Sequence, residues 1–328
     1  MDLSRNYRSS ERIVGYFGNY NVHATKISAE GKDRQYASLI SFDPVTGRDD
    51  LEEELARLVR YSIETAGIAQ NEICILAPQW VHLASMTRRL VAALPEYGFD
   101  GPGMVPFTRD IDNFWYKLSK IVLTQASPHM YVRRHRWIGD VLGALADAGV
   151  NIEKLTRKSL LKTFNSITVG EEDGLVYLEQ FFDALFATIG VDFRAFPALA
   201  EHHDAFFESS RARIERLRTE GAEYIGEIAA FKRVFEGRKG ITVSTIHGVK
   251  GAEYDTVISY ALLEGMVPNF NDPNPAESAC KMLYVIGSRA RKNLHLLSER
   301  GRQRGGGRGE YQPTTVLADC QFAYDNVP

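Results

Sequence analysis

Short runs of aliphatic and β-branched residues, separated by helical patterns, constrain the fold of this chain more than any other feature. Each run is bounded by loop-forming residues, which is typical of strands buried in a sheet. The predicted strands are residues 36–42, 72–77, 241–246, 255–262 and 293–298. Amphipathic helical patterns lie between several of them, at residues 51–63, 79–94 and 275–288. Strands that alternate with helices predict an α/β domain with a mostly parallel sheet.

The stretch from residue 108 to residue 238 differs, because it has helical periodicity and no convincing strand. Its predicted helices are residues 111–124, 131–148, 175–189 and 201–235. Since this stretch separates the second predicted strand from the third, the sheet must be built from both flanks. We therefore predict an α/β domain in two parts, residues 1–107 and 239–328, interrupted by an all-helical inserted subdomain at residues 108–238.

Composition narrows the class of protein. The 328 residues are 44% hydrophobic and 25% charged, as in a soluble globular protein of about two domains. The widely spaced Cys74, Cys280 and Cys320 fit a reducing compartment, and no stretch resembles a signal peptide or a membrane span, so a cytoplasmic location is expected. The net charge of -3 gives no overall attraction to nucleic acid, so such binding requires a local patch. Residues 281–308 supply eight basic residues and one acid, and the low-complexity part, residues 299–309, is predicted to be a flexible loop.

Three segments carry the candidate chemistry, and the first is residues 3–9, which read LSRNYRS. Tyr7 and Arg8 stand before a helix that Ser9 or Ser10 can cap. An aromatic ring beside a guanidinium suits a base and a phosphate, because the ring stacks while the planar fork binds oxyanions. The alternative is a capped surface helix with Tyr7 in the core and Arg8 solvated.

The second segment, residues 242–255, reads TVSTIHGVKGAEYD and is a strand that feeds a loop. Ligands bind at the carboxyl edge of parallel sheets, and glycines let the backbone approach phosphate closely. An ionised carboxylate such as Glu253 only accepts hydrogen bonds, so it suits a hydroxyl better than a phosphate. A polar loop without a ligand is the alternative.

The third segment, residues 282–292, reads MLYVIGSRARK and is predicted to be a helix with Arg289, Arg291 and Lys292 near its C-terminal end. Cations there gain ~0.3–1 kcal/mol from the helix dipole, which is sufficient to explain all three. The functional interpretation is that one arginine crosses a domain boundary to neutralise a transferring phosphate.

Together the three segments resemble the UvrD/Rep/PcrA-type superfamily 1 DNA helicases over the whole chain. The second RecA-like domain of that family opens with N-Y-R-S, later carries T-[IV]-H-x-x-K-G-x-E, and ends with L-x-Y-V-x-x-[TS]-R-A. Residues 264–268, EGMVP, also resemble the E-G-x-[FVI]-P stretch of the family. The chain departs from the pattern at residues 278–281, which read SACK where many relatives have an acidic and doubly basic run, and at Ala252, where Leu is commoner.

The resemblance implies a RecA-like, P-loop-NTPase-type sheet domain and specific roles for its residues. Tyr7 would stack on adenine, and Arg8 and Arg289 would be catalytic arginines at the γ-phosphate. Glu253 and Gly251 would complete the ATP-binding set. The residues on the DNA path would be Thr245, His247 and Lys250.

The sequence lacks a nucleotide-binding P-loop, since Gly31-Lys32-Asp33 has neither the upstream glycine nor the hydroxyl for magnesium. Met1 stands directly before the first motif, so we expect a longer chain whose first RecA-like domain binds most of the ATP and Mg²⁺. The expected function is the C-terminal motor domain of an ATP-dependent helicase acting on single-stranded or partly duplex DNA, inactive as a fragment. The alternative is a non-catalytic nucleic-acid or protein-binding module that retains the fold.

Two further clusters are open to a functional interpretation. Residues 202–204, HHD, have metal-binding side chains but no partner at suitable spacing, so an exposed helix start is the favoured reading and no metal site is predicted. Residues 133–136, RRHR, either contact duplex DNA or form a solvated helical face.

Overall fold

The computed structural model describes residues 5–20, 22, 25–101, 105–108, 110–219, 223–236 and 239–328, leaving out the side chains of residues 81, 82 and 223. The chain divides into two compact units, one formed by Met1–Pro102 with Arg238–Pro328 and the other by Gly103–Gly237. All strands of the described residues lie in the first unit, and the second is helical. That the second unit is an insertion into a single domain, bounded at residues 108 and 238, stays a prediction. Leu3 and Ser4 of the first motif lie outside the described residues.

A six-stranded parallel sheet forms the centre of the first unit, beside a separate parallel pair of short strands. The pair joins β1 (Arg5–Asn6) to β2 (Ser28–Ala29). The strands of the sheet are β3 (Ile40–Asp43), β4 (Ile73–Ala77), β5 (Phe99–Asp100), β6 (Ile241–Thr245), β7 (Tyr254–Ser259) and β8 (Ala290–Leu297). Their order is β3-β8-β7-β4-β6-β5, and every neighbouring pair is parallel. The predicted parallel sheet is thus confirmed, and β5 is an addition to the five predicted strands.

Helices cover both faces of this sheet. The helices of the first unit are α1 (Glu11–Gly18), α2 (Leu51–Arg60), α3 (Trp80–Ala93), α10 (Pro275–Arg289) and α11 (Thr315–Ala318). On one face, Leu55 of α2 shares a core with Ile75 of β4. On the other face, Ile13 of α1 and Leu283 of α10 share a core with Leu76. Burial on both faces explains why the central strands read as continuous apolar runs rather than alternating ones.

The second unit is built from helices around an aromatic core. They are α4 (Phe114–Val122), α5 (Tyr131–Asp147), α6 (Arg157–Ser166), α7 (Gly174–Ile189), α8 (Pro197–Thr219) and α9 (Ile228–Arg233). Trp115 is fully buried, with its ring centroid 4.9 Å from that of Phe182 and 4.7 Å from that of Phe193. His203 packs edge-on against Trp115 at 4.8 Å and is buried, so it is a core residue rather than part of an exposed helix start.

Two helical predictions differ from the structure of this unit. The single helix predicted at residues 201–235 is wrong, because α8 ends at Thr219 and α9 begins only at Ile228. A Cβ at Gly226 would lie 2.3 Å from the Arg218 guanidinium, so the short turn at residues 223–226 packs closely against α8. Helix α6 is not among the predicted helices, since its apolar stripe is limited to Leu160, Leu161 and Phe164 in a polar segment.

The basic run at residues 133–136 is divided by its helix. Arg133 and Arg136 are exposed, but Arg134 is only 6% exposed. The interpretation of these residues as one solvated helical face is therefore wrong for Arg134, which turns into the helical unit.

The low-complexity segment at residues 299–309, predicted to be a flexible loop, differs from that prediction at its first residue. Glu299 is fully buried. Its carboxylate accepts hydrogen bonds from the N–H of Ala261 (2.9 Å) and from the guanidinium of Arg302 (2.6 Å). Ala261 has a φ of 57°, a left-handed conformation that a non-glycine residue rarely adopts. Glu299 therefore fixes the turn after β7 to the end of β8.

Replacing Glu299 tests this anchoring role. We expect Glu299→Ala to lower the free energy of unfolding by about 3–5 kcal/mol, because it leaves the Arg302 charge and the Ala261 N–H without their acceptor. Urea denaturation followed by circular dichroism measures the change. Glu277→Ala, which breaks an exposed pair with Lys281, is the control and should cost less than about 1 kcal/mol. Equal effects of the two substitutions would contradict the role of Glu299.

Candidate functional site

Two buried serines fix the N-terminal motif to the end of α10. The Ser9 hydroxyl donates to the carbonyl of Ala290 (2.8 Å), and the Ser10 N–H donates to the carbonyl of Arg291 (2.9 Å). The Ser10 hydroxyl also accepts from the N–H of Ile13 (3.2 Å), so Ser10 caps α1. Residues at opposite ends of the sequence are thereby held together at the amino end of β8.

Tyr7 and Arg8 occupy an exposed turn in front of these serines. The side-chain oxygen of Asn6 accepts from the backbone N–H groups of Arg8 and Ser9, both at 2.9 Å. A Cβ at Gly31 would lie 2.0 Å from the carbonyl oxygen of Tyr7, so glycine is needed for this close approach. Tyr7 is 61% exposed, which excludes its alternative interpretation as a core residue.

Arg8, Glu253 and Arg289 form one cluster at this turn. The Nε of Arg8 lies 2.7 Å from a carboxylate oxygen of Glu253. Arg289 is half-buried and donates to the carbonyl of Ala252 and the hydroxyl of Ser288, both at 3.2 Å, while its buried Nε has no hydrogen-bond partner among the described residues. Burial lowers the pKa of Arg289, and the charge of Arg8 lowers it further, whereas Glu253 opposes both effects. Two guanidinium groups around one carboxylate leave net positive charge, which suits an anion such as phosphate.

The arginine cluster lies at the amino ends of two central strands. Glu253 directly precedes β7, and Arg289 directly precedes β8. Thr245 instead ends β6, at the opposite, carboxyl edge of the same parallel sheet. Glu253 thus lies at the opposite edge of the sheet from Thr245, although both belong to the second motif. Residues 246–253 cross from one edge to the other.

The candidate DNA-contacting residues lie at the end of β6 and in the loop after it. The Thr245 hydroxyl accepts from the N–H of Gly248 (3.0 Å), and the side chains of His247 and Lys250 are exposed. Gly251 has a φ of 84°, in the left-handed region that favours glycine. The structure thus brings Thr245 and His247 to the carboxyl edge, apart from the arginine cluster.

Trp80 is a residue at the carboxyl edge that the motif analysis misses. Ala77, at the end of β4, is paired with Thr245, and α3 begins three residues later with Trp80. The Trp80 side chain is 61% exposed, although tryptophan is highly buried on average. The available signal is a tryptophan at the first position of a helix that directly follows a strand.

Arg291 and Lys292 have a different role from that of Arg289. They lie in β8, not at the C-terminal end of α10, so the helix-dipole interpretation is wrong for both. Arg291 Nε lies 2.7 Å and Lys292 Nζ 2.9 Å from the carboxylate of Asp255, and Arg291 also pairs with Glu72. Burial acts to raise the pKa of Asp255, but the hydrogen bonds from Lys292 and Arg291 outweigh it and hold that pKa below its ordinary value. These cations are neutralised within the protein and brace the strand whose carbonyls hold the serines.

In a comparison with known proteins, a family model matches a segment that contains part of this site. Residues 228–300 match the family model of the UvrD-like helicase C-terminal domain. The matched segment contains Glu253 and Arg289 but not the motif of Tyr7 and Arg8. No curated protein matches the chain. In the part of the chain that the structure describes, no helix is both long and apolar enough to cross a membrane.

The Asp255 network gives a pH-dependent expectation. Because the folded-state pKa of Asp255 is depressed, its contribution to stability is present above the unfolded value, about 4, and is lost as the pH falls through the folded value. The difference in unfolding free energy between the wild type and Asp255→Asn should therefore shrink as the pH falls from about 5 towards 2. Urea denaturation at a series of pH values measures it.

The matched control is Asp319→Asn, an exposed carboxylate for which the described residues show no ion pair. Its difference from the wild type should change less over the same pH range. A gap for Asp255→Asn that stays constant with pH would contradict the network.

Proposed function

We propose that the chain is the C-terminal motor half of an ATP-dependent helicase that moves along single-stranded DNA, because residues 228–300 match the family model of the UvrD-like helicase C-terminal domain. The observation that carries the proposal is the cluster of Arg8, Glu253 and Arg289, with exposed Tyr7 beside it. These residues come from motifs at opposite ends of the chain. A purely structural role does not require two guanidinium groups around one carboxylate.

In this proposal the cluster is one wall of a composite ATP site. Arg8 and Arg289 bind the γ-phosphate, and their charges stabilise the negative charge that develops during phosphoryl transfer. Tyr7 stacks on adenine, while Glu253, positioned by the turn at Gly251, accepts a hydrogen bond from the ribose. The cluster suits phosphate oxygens rather than Mg²⁺, so we assign the P-loop and most Mg²⁺ contacts to a first RecA-like domain outside this sequence. The fragment by itself is therefore proposed to be inactive in hydrolysis.

The carboxyl edge provides the proposed path for single-stranded DNA. Thr245, His247 and Lys250 would contact the phosphate backbone, for which an exposed hydroxyl, imidazole and ammonium are suitable donors. Exposed Trp80 would stack on a base, because every base offers a π-face to an aromatic side chain. Residues 246–253 join the two sites directly, so a shift of Glu253 on nucleotide binding would move the DNA contacts.

We further propose a fold for each unit and a cellular location. The α/β unit would be a RecA-like domain, with the helical unit as its inserted subdomain, in a cytoplasmic protein that also binds partly duplex DNA. The competing function is a non-catalytic nucleic-acid or protein-binding module. The arginine cluster favours the motor, because binding alone has no use for arginines at a γ-phosphate.

Substitution of Arg289 tests the ATP site in the longer protein that contains this chain and its P-loop domain. Arg289→Ala should leave ATP binding within a few-fold and lower DNA-stimulated hydrolysis by about 10³-fold or more, because its charge acts mainly on the transition state. Steady-state hydrolysis with and without single-stranded DNA measures the effect. Arg308→Ala, in the low-complexity segment at residues 299–309, is the control and should hydrolyse ATP normally. Unchanged turnover of Arg289→Ala would favour the binding module.

Substitution of Trp80 tests the DNA path. Trp80→Ala should weaken binding of single-stranded DNA by roughly 1–3 kcal/mol, the value of one base stack, while Trp80→Phe should retain part of the affinity. Fluorescence anisotropy with a labelled oligonucleotide measures both. Ile111→Ala, another exposed apolar side chain (65%), is the control and should bind normally. The same affinity for Trp80→Ala and the wild type would remove Trp80 from the path.

A further inference from the structure

A cavity of about 320 Å³ opens at the start of α5 in the helical unit. Its polar walls include Ser127, Tyr131, Arg134 and Asn165, and Leu161 forms part of its apolar wall. Since a water molecule occupies roughly 30 Å³ in the liquid, the cavity has room for a group much larger than single waters. It belongs to neither the arginine cluster nor the proposed DNA path.

Arg134 is the charged group of this cavity, and it is more than nine-tenths buried. Its Nη1 donates to the side-chain oxygen of Asn165 (2.9 Å), and its Nη2 donates to the carbonyl of Ile121 (3.3 Å). Its Nε is buried and has no hydrogen-bond partner in the described part of the chain. Both of its acceptors are neutral, so the positive charge is not compensated by either contact.

A buried guanidinium without a carboxylate is unfavourable, because it loses hydration and gains no opposite charge. Consistent with this, burial lowers the pKa of Arg134, and no acidic neighbour among the described residues acts against it. The carbonyl of Ile121 near the end of α4 offers a partial negative charge, which is less than a full counter-ion. A methionine of similar length would fill the same space without this cost, so packing does not account for the arginine.

The surroundings of the cavity add positive potential. Arg133 and Arg136 lie on the same first turns of α5, and Lys162 lies on neighbouring α6, all exposed. No acidic residue occurs in α5 before Asp140.

We propose that this cavity binds a phosphate-class oxyanion, with the buried Arg134 guanidinium as its principal contact and Ser127 and Asn165 as neutral donors beside it. A tetrahedral oxyanion accepts several hydrogen bonds at once, and planar guanidinium groups bind it through paired N–H donors. The ligand is either a phosphodiester of a nucleic-acid backbone or a free phosphate ester, which share this chemistry. The proposal does not depend on the ATP site.

The first test uses the whole chain and inorganic phosphate, with binding measured by calorimetry and by the rise in melting temperature at constant ionic strength. Wild type should bind phosphate saturably. Asn165→Asp should weaken that affinity about tenfold or more, because the new carboxylate lies against Arg134 and replaces the anion. Asn151→Asp, an exposed position in the same unit, makes the same charge change and should bind as the wild type does.

Arg134→Lys provides a second variant that keeps the charge and lowers the risk of unfolding. It should also bind phosphate more weakly, since lysine lacks the planar fork. Arg308→Ala, at an exposed position outside this cavity, should retain the phosphate response. The proposal is overturned if wild type shows no saturable binding or if Asn165→Asp binds as tightly as wild type.

Competition then identifies the source of the phosphate. Displacement of inorganic phosphate by a short single-stranded oligonucleotide, lost in Asn165→Asp, would support a backbone phosphodiester as the ligand. Binding of phosphate or a nucleoside monophosphate without competition by the oligonucleotide would support a free phosphate ester. Either result supports the cavity as a phosphate site.

Discussion

Two hydrogen bonds, from the Ser9 hydroxyl to Ala290 and from the Ser10 N–H to Arg291, hold the candidate site together. Both serines are buried, so water does not compete for these carbonyls. The strand that provides the acceptors is braced in turn by the ion pairs of Asp255. Exposed Tyr7 and Arg8 can therefore stand on a fixed turn, which a ligand site needs if its charges are to be preorganised.

The parallel sheet separates the two kinds of candidate site by the length of its strands. A strand of five residues spans roughly 17 Å. The arginine cluster lies at the amino edge of the sheet, while Thr245 and Trp80 lie at its carboxyl edge. Residues 246–253 are the direct covalent link between them. Gly251 in this link has a left-handed conformation, which favours glycine.

The sequence predicts the parallel sheet because strands that are buried on both faces are continuous apolar runs, such as β4, and such runs are not typical of loops. Only the resemblance of the motifs to a known family predicts that Arg8, Glu253 and Arg289 lie together, since no periodicity connects residues so far apart in the sequence. The sequence misses α6, where capping by Thr156 and Ser159 matters more than an apolar stripe, and β5, which is only two residues long. The sequence does not predict the burial of Glu299 and Arg134 or the exposure of Trp80. Each is opposite to what the residue type suggests, because tertiary contacts determine which side chains are buried.

The strand order has a consequence for synthesis of the protein. Central β4 is flanked by β6 and β7, which leave the ribosome more than 150 residues after it. The apolar residues of β4 therefore have no central sheet partner until residues 241–259 have emerged, and such delayed pairing favours aggregation. The helical unit is contiguous in sequence, and its core is formed by residues 105–235. It can therefore fold on the ribosome before β6 and β7 are available to pair with β4.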